Sequence, residues 1–103
     1  MNRVFTRPLP LVDISRDQYA RFREALAPDP RLPVEFGRWA RESARTEMIH
    51  QAAGWNTVRI AVDFEEFQAF AEAAKLPLTY GLLHAYAYQK WLHQARPSRG
   101  PLP

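Results

Sequence analysis

From Tyr80 to His93 the sequence has the composition of a helix and is apolar almost all the way round. At 100° per residue, Tyr80, Leu83, Ala87 and Trp91 fall on one side. Leu82, Ala85, Tyr86, Tyr88 and Leu92 cover most of the remainder, and Gln89 and Lys90 are the strongly polar positions. A helix without a polar face has to be covered on every side. In a chain of 103 residues this demand governs the rest of the fold, because area scaling supplies buried surface for one domain and not for two. Either the remainder of the chain wraps this helix, or a partner covers what the chain leaves open.

The material for wrapping it begins with residues 1–14, where prolines alternate with Val4, Phe5, Leu9, Leu11, Val12 and Ile14, the pattern of an extended arm or an edge strand. Ser15 stands where a helix N-cap belongs, with Gln18 at capping-box spacing and Asp17 in the positive first turn. Tyr19, Phe22 and Leu26 then form one narrow stripe, and Pro28 and Pro30 stop the helix. Pro33 suits the first position of a second helix, which runs about twenty residues to Gly54, a glycine placed to end it. Its wheel gathers Phe36, Trp39, Ala40, Ser43 and His50 on one side and Arg38, Arg41 and Arg45 on the other.

At Trp55 the period changes from helical to alternating. Val58, Ile60 and Val62 face one way and Thr57, Arg59 and Ala61 the other, which describes a half-buried strand. Asp63 ends the strand and caps the next helix, with Glu66 completing the capping-box spacing. Phe64, Phe67, Phe70, Ala71 and Ala74 give that helix a broad apolar face, Pro77 closes it, and Thr79 caps the apolar helix that follows. A lone strand would leave backbone donors and acceptors unpaired, so residues 55–62 need either the N-terminal segment or the same strand of a second copy. The expected fold is a small, mostly helical α+β single domain with about four helices and a short two-stranded sheet. It spans residues 1–94, with 1–14 as the arm or edge strand, and the Pro- and Arg-rich residues 95–103 have the composition of a disordered tail.

Several function classes lose their chemistry at this level. Cysteine is absent, which removes thiolate catalysis, thiolate zinc sites and a disulfide scaffold. His50, His84 and His93 do not stand at the mutual spacing that presents two metal ligands on one helix, so no metal is assigned. His84 borders the Tyr80 and Trp91 side and reads as a partly buried polar residue. Ser15 is taken as a cap, Ser43 sits in mid-helix, and Ser98 falls in the tail, so no serine stands beside a base; the four glycines are isolated, so no phosphate loop exists. Glu65 and Glu66 point about 100° apart on a helix and cannot face each other as an acid and base pair. The expectation is a non-enzymatic protein without a cofactor. The N-terminus lacks the apolar core of a signal peptide and no segment approaches the ~20 apolar residues of a membrane span, so a soluble, cytoplasmic protein without membrane contact is expected.

Two surfaces remain as candidates for binding. The net charge is +3, and residues 1–45 hold nine arginines against six acids. Arg38, Arg41 and Arg45 on one helix face can follow the phosphates of a nucleic acid or meet an acidic partner; the plainer alternative is a solvated outer face, with Arg38 paired to Glu42 one turn on. In the apolar helix, Tyr80, Leu83, Ala87 and Trp91 are expected to serve the core, leaving Leu82, Tyr86, Tyr88 and Leu92 for a protein partner, since aromatic anchors of this kind mark interfaces. The alternative is that the N-terminal arm, with Phe5, Leu9 and Leu11, folds over that face.

The segment Val-Arg-Ile-Ala-Val-Asp-Phe-Glu-Glu-Phe-Gln-Ala-Phe (residues 58–70), followed by Leu78 and the Tyr-Ala-Tyr-Gln-Lys run that begins at Tyr86, resembles the C-terminal half of small proteins found in bacteriophages and prophages of proteobacteria. The resemblance brings no catalytic residue and no cofactor. It implies a phage accessory protein, for which inhibition of a host defence or replication complex is a natural task. The first expected function is therefore protein binding, with a homodimer through the aromatic helix or the strand edge as one form of it. The alternative is a nucleic-acid-binding module using the arginine face.

Overall fold

The computed structural model describes residues 7–95. In chain order the elements are β1 (Arg7–Asp13), α1 (Arg16–Ala25), α2 (Phe36–Ala52), β2 (Trp55–Ala61), α3 (Phe64–Ala74) and α4 (Tyr80–Ala95). The fold is a small α+β domain of four helices and a two-stranded parallel sheet, as the periodicities anticipate. Residues 1–6 of the expected arm and 96–103 of the expected 95–103 tail lie outside the described residues, and Ala95 closes α4.

The strand that begins at Trp55 takes its partner from the same chain. Leu11 stands opposite Arg59 and Val12 opposite Ile60 in a parallel register. The Val62 N–H donates to the Asp13 carbonyl at 3.2 Å, so the odd-numbered residues of β1 turn their backbone groups toward β2. Pro8 and Pro10, which have no N–H to give, thereby fall on the outer edge, where a missing donor costs nothing and discourages further strand pairing. A parallel pair needs a long crossover, and α1 and α2 provide it. Val12, Ile14, Ile60 and Val62 are buried on the same face of the sheet, toward the helices.

Aromatic rings join the helices to that face. Phe22 of α1 meets Phe64 edge-on at 5.2 Å and Phe67 at 6.1 Å, and Phe67 in turn lies 5.7 Å from Tyr86. Tyr19 stands between Phe36 and Trp39 of α2, at 5.6 Å and 5.7 Å. Each of these contacts is worth about 0.5–1.5 kcal/mol beyond the area it buries. The stripe Tyr19, Phe22 and Leu26 is buried as its spacing predicts.

The helix ends follow the sequence in part. Thr79 Oγ1 accepts from the Leu82 N–H at 3.0 Å, and Asp63 Oδ2 accepts from the Glu66 N–H at 3.1 Å, caps worth about 1 kcal/mol each. Gly54 follows α2 at φ 101°, the left-handed conformation that glycine adopts without strain. Elsewhere the expected capping boxes are rewired. The Ser15 hydroxyl donates to Asp17 at 2.7 Å instead of capping α1, and Gln18 reaches across the chain, where its Oε1 accepts from the Phe64 N–H at 2.7 Å. Gln18 thus satisfies a backbone donor at the start of α3 and ties α1 to it. Glu66 likewise does not complete its box and bonds to α4 instead. The second helix begins at Phe36 and not at Pro33. The Pro33 carbonyl, which a helix starting there would use for an intrahelical bond, accepts instead from the Tyr19 hydroxyl and from Arg23 Nε.

Candidate functional site

The demand that α4 be covered is met largely within the chain. β1 packs along it, α3 lies beside it, and Tyr80, Leu83, Tyr86 and Ala87 are buried. Of the four residues expected at an interface, Tyr86 is therefore misplaced. Its ring sits 5.7 Å from Phe67 and 5.3 Å from Phe70, and its hydroxyl donates to Glu66 Oε1 at 3.0 Å. Burial, then the Glu66 carboxylate, push the Tyr86 phenol up to about 12. Leu82 is half-buried against the core. The polar residues Gln89 and Lys90 flank Tyr86 on the wheel, so the sequence marks as wet the side that Tyr86 turns toward α3.

What stays open is a strip on the far side of α4. Gly81, Ala85, Tyr88 and Leu92 follow each other at helical spacing and are all exposed, Tyr88 by 49% and Leu92 by 43%. The half-buried Trp91 ring lies 5.7 Å from that of Tyr88 and extends the aromatic surface. No charged residue interrupts the strip. Lys90, the one lysine of the helix, turns away, donating from Nζ to the Ala61 carbonyl at 2.8 Å and standing 3.5 Å from Glu66.

The arginine face forms as the wheel predicts, with Arg38, Arg41 and Arg45 all exposed along α2. Arg38 Nε donates to Glu42 Oε2 at 3.1 Å, which compensates one of the three charges. An exposed i,i+4 pair of this kind contributes about 0.3–0.5 kcal/mol to the helix.

Sequence spacing gives no sign of a third feature, a cleft of about 310 Å³ between α2 and α4, bordered by β1 and β2. Its residues come from four elements and one loop, so no local pattern announces it. Trp39 and Tyr80 line it, the Trp39 indole N–H donating to Tyr80 Oη at 3.3 Å. His84 lines it too, half-buried, with its ring edge-on to Tyr80 at 4.7 Å. Burial pushes the His84 imidazole below its ordinary range, and the nearby Arg31 guanidinium adds to that. The folded state therefore prefers neutral His84, whereas the unfolded chain takes up a proton below about pH 6.5. The stability this contributes is complete above that pH and is lost as pH falls toward the lowered folded value. Melting temperature should decline between pH 6.5 and 5 in the parent chain and decline less in His84→Gln. Equal slopes in the two proteins would remove His84 as the cause.

Among the described residues no group of three His, Asp or Glu side chains could hold a metal ion, and no helix is long and apolar enough to cross a membrane. Compared with protein-family models, curated proteins and solved structures, the chain matches none. The sites above therefore rest on their own geometry.

Proposed function

We propose that this protein is a non-enzymatic accessory factor that works by binding another protein through the outer face of α4. The observation that carries the reading is the uncharged exposed strip of Tyr88 and Leu92, backed by Trp91. Aromatic and aliphatic side chains on a rigid helix lose little conformational entropy on binding and are typical anchors of interfaces. Val34 and Leu76, in loops, and Met48 and Ile49, on α2, are also exposed, but none stands beside an exposed aromatic residue on a helix face. The arginine face of α2 supports the second reading, nucleic-acid binding, less well, because Arg38 is already tied to Glu42. A phage accessory protein, which the resemblance of residues 58–90 implies, is a natural setting for a binder of this size, and a host complex or a second copy of the chain is a fitting partner.

A photo-crosslinking amino acid placed at Tyr88 should capture a discrete partner in cells, while the same group at exposed Gln68 on α3 should not. Leu92→Glu should weaken the capture at least tenfold, about 1.4 kcal/mol. An adduct of twice the chain mass identifies a second copy as the partner. Equal labelling from both positions, or none from Tyr88, would sink the proposal.

A further inference from the structure

We propose that the cleft between α2 and α4 binds a small, neutral, planar heteroaromatic molecule of the purine or pyrimidine type. This goes beyond the protein-binding reading and does not depend on it, because the cleft and the outer strip of α4 use different residues.

The charges at the cleft point to a neutral ligand. Arg31 is held by Asp29 at 2.7 Å and stacks on the Tyr80 ring at 4.7 Å from its centroid. Arg59 is held by Glu47 at 2.6 Å, and Glu42 by Arg38 at 3.1 Å. All four charged side chains that line the cleft thus have a counter-ion within the protein, and a charged ligand would find no spare partner for its own charge.

The groups that do remain available are neutral and stand on two facing sides. On α2, the Ser43 and Thr46 hydroxyls have no hydrogen-bond partner among the described residues. On α4, both ring nitrogens of His84 are likewise without one, and Tyr80, whose oxygen accepts from Trp39, keeps its own proton to donate. Neutral imidazole offers one donor and one acceptor, and a hydroxyl can be either. Leu11, Val12 and Trp39 supply the apolar part of the lining. A ligand that suits this arrangement has an apolar flat face and polar edges carrying both donors and acceptors, which describes a heteroaromatic base. The volume of about 310 Å³ lies at the small end of ligand pockets and suits one or two fused rings.

The test is a titration of the full-length, isotope-labelled protein with adenine and, separately, cytosine, followed by NMR at the Trp39 indole N–H. One of the two should shift that resonance saturably. Ser43→Val and His84→Leu should each weaken the binding about tenfold, the effect of one lost hydrogen bond, while their amide spectra away from the cleft match the parent. Tyr88→Glu should bind as the parent does. Benzoate, an anion of similar size, should bind at least tenfold more weakly. Absence of a saturable shift with both bases, insensitivity to both cleft variants, or benzoate binding as tightly as the better base would each overturn the proposal.

Discussion

Phe67→Ala is expected to cost about 3–5 kcal/mol, the range for removing a fully buried phenylalanine and leaving a cavity. Phe67 has no exposed surface, and its ring lies where three helices meet, 6.1 Å from Phe22 of α1 and 5.7 Å from Tyr86 of α4. Neighbouring rings cannot collapse into the gap without giving up their own edge and tilt contacts, so the upper part of the range applies. A domain of this size has roughly 5–15 kcal/mol of stability in total. The variant should therefore melt at least about 12 °C below the parent and lose most of its urea resistance. Phe70→Ala, at a half-buried position on the same helix, should cost less than half as much. Urea denaturation of the three proteins decides it: a loss under 1 kcal/mol at Phe67 would mean that the three helices do not share one core.

The contrast between Phe67 and Tyr86 shows which parts of the fold local sequence can specify. Phe67 was legible because Glu65 and Glu72 mark the wet side of α3, so the dry side is fixed by subtraction. The caps at Asp63 and Thr79 were legible for a related reason, since a cap and the N–H it satisfies lie within three residues of each other. The sheet was half legible: alternation in residues 57–62 shows a strand, and Pro8 and Pro10 show an edge, but the choice between an internal partner and a second copy rests on the long crossover. Tyr86 was not legible, because Gln89 and Lys90, the polar residues of α4, flank Tyr86 on the wheel and mark its side, not the strip left open, as the wet one. Ser15, Gln18 and Glu66 fit a local capping pattern and yet bond elsewhere. Ser15 turns to Asp17, two residues on, whereas the partners of the other two, 45 or more residues away for Gln18 and 20 for Glu66, exist only once the helices have packed. The cleft fails for the same reason in stronger form, since its lining combines side chains from residue 11 to residue 84.

That limit on legibility has a direct experimental consequence at Tyr86. Tyr86→Glu is expected to cost about 3–5 kcal/mol, because it removes a buried ring from Phe67 and Phe70 and puts a carboxylate in its place, with Lys90, already 3.5 Å from Glu66, shared between two carboxylates. The new carboxylate would lie between Phe67 and Phe70 and beside Glu66, whose like charge it would face in place of the hydroxyl that now donates to it. Desolvation and that repulsion raise its folded-state pKa above the unfolded value and outweigh the one cation beside them, Lys90, because Lys90 already pairs with Glu66. The sign is then fixed: the penalty is complete above the folded pKa and shrinks as the pH falls and the carboxyl takes up a proton. The variant should regain part of its lost stability below about pH 5, the reverse of the decline expected from His84. Tyr86→Phe removes only the hydrogen bond. The Glu66 side chain is 61% exposed and can return to water, so that change should cost about 0.5–1.5 kcal/mol. Tyr88→Glu, on the open strip, loses only the contact with Trp91 and should cost no more than about 1.5 kcal/mol. Far-ultraviolet circular dichroism against temperature separates the first from the other two. If Tyr86→Glu melted as Tyr88→Glu does, Tyr86 would face solvent and the apolar helix would present its other side to α3. If instead the two diverge as expected, lost binding in Tyr86→Glu reports unfolding, and Tyr88 is the position at which a charge tests the surface.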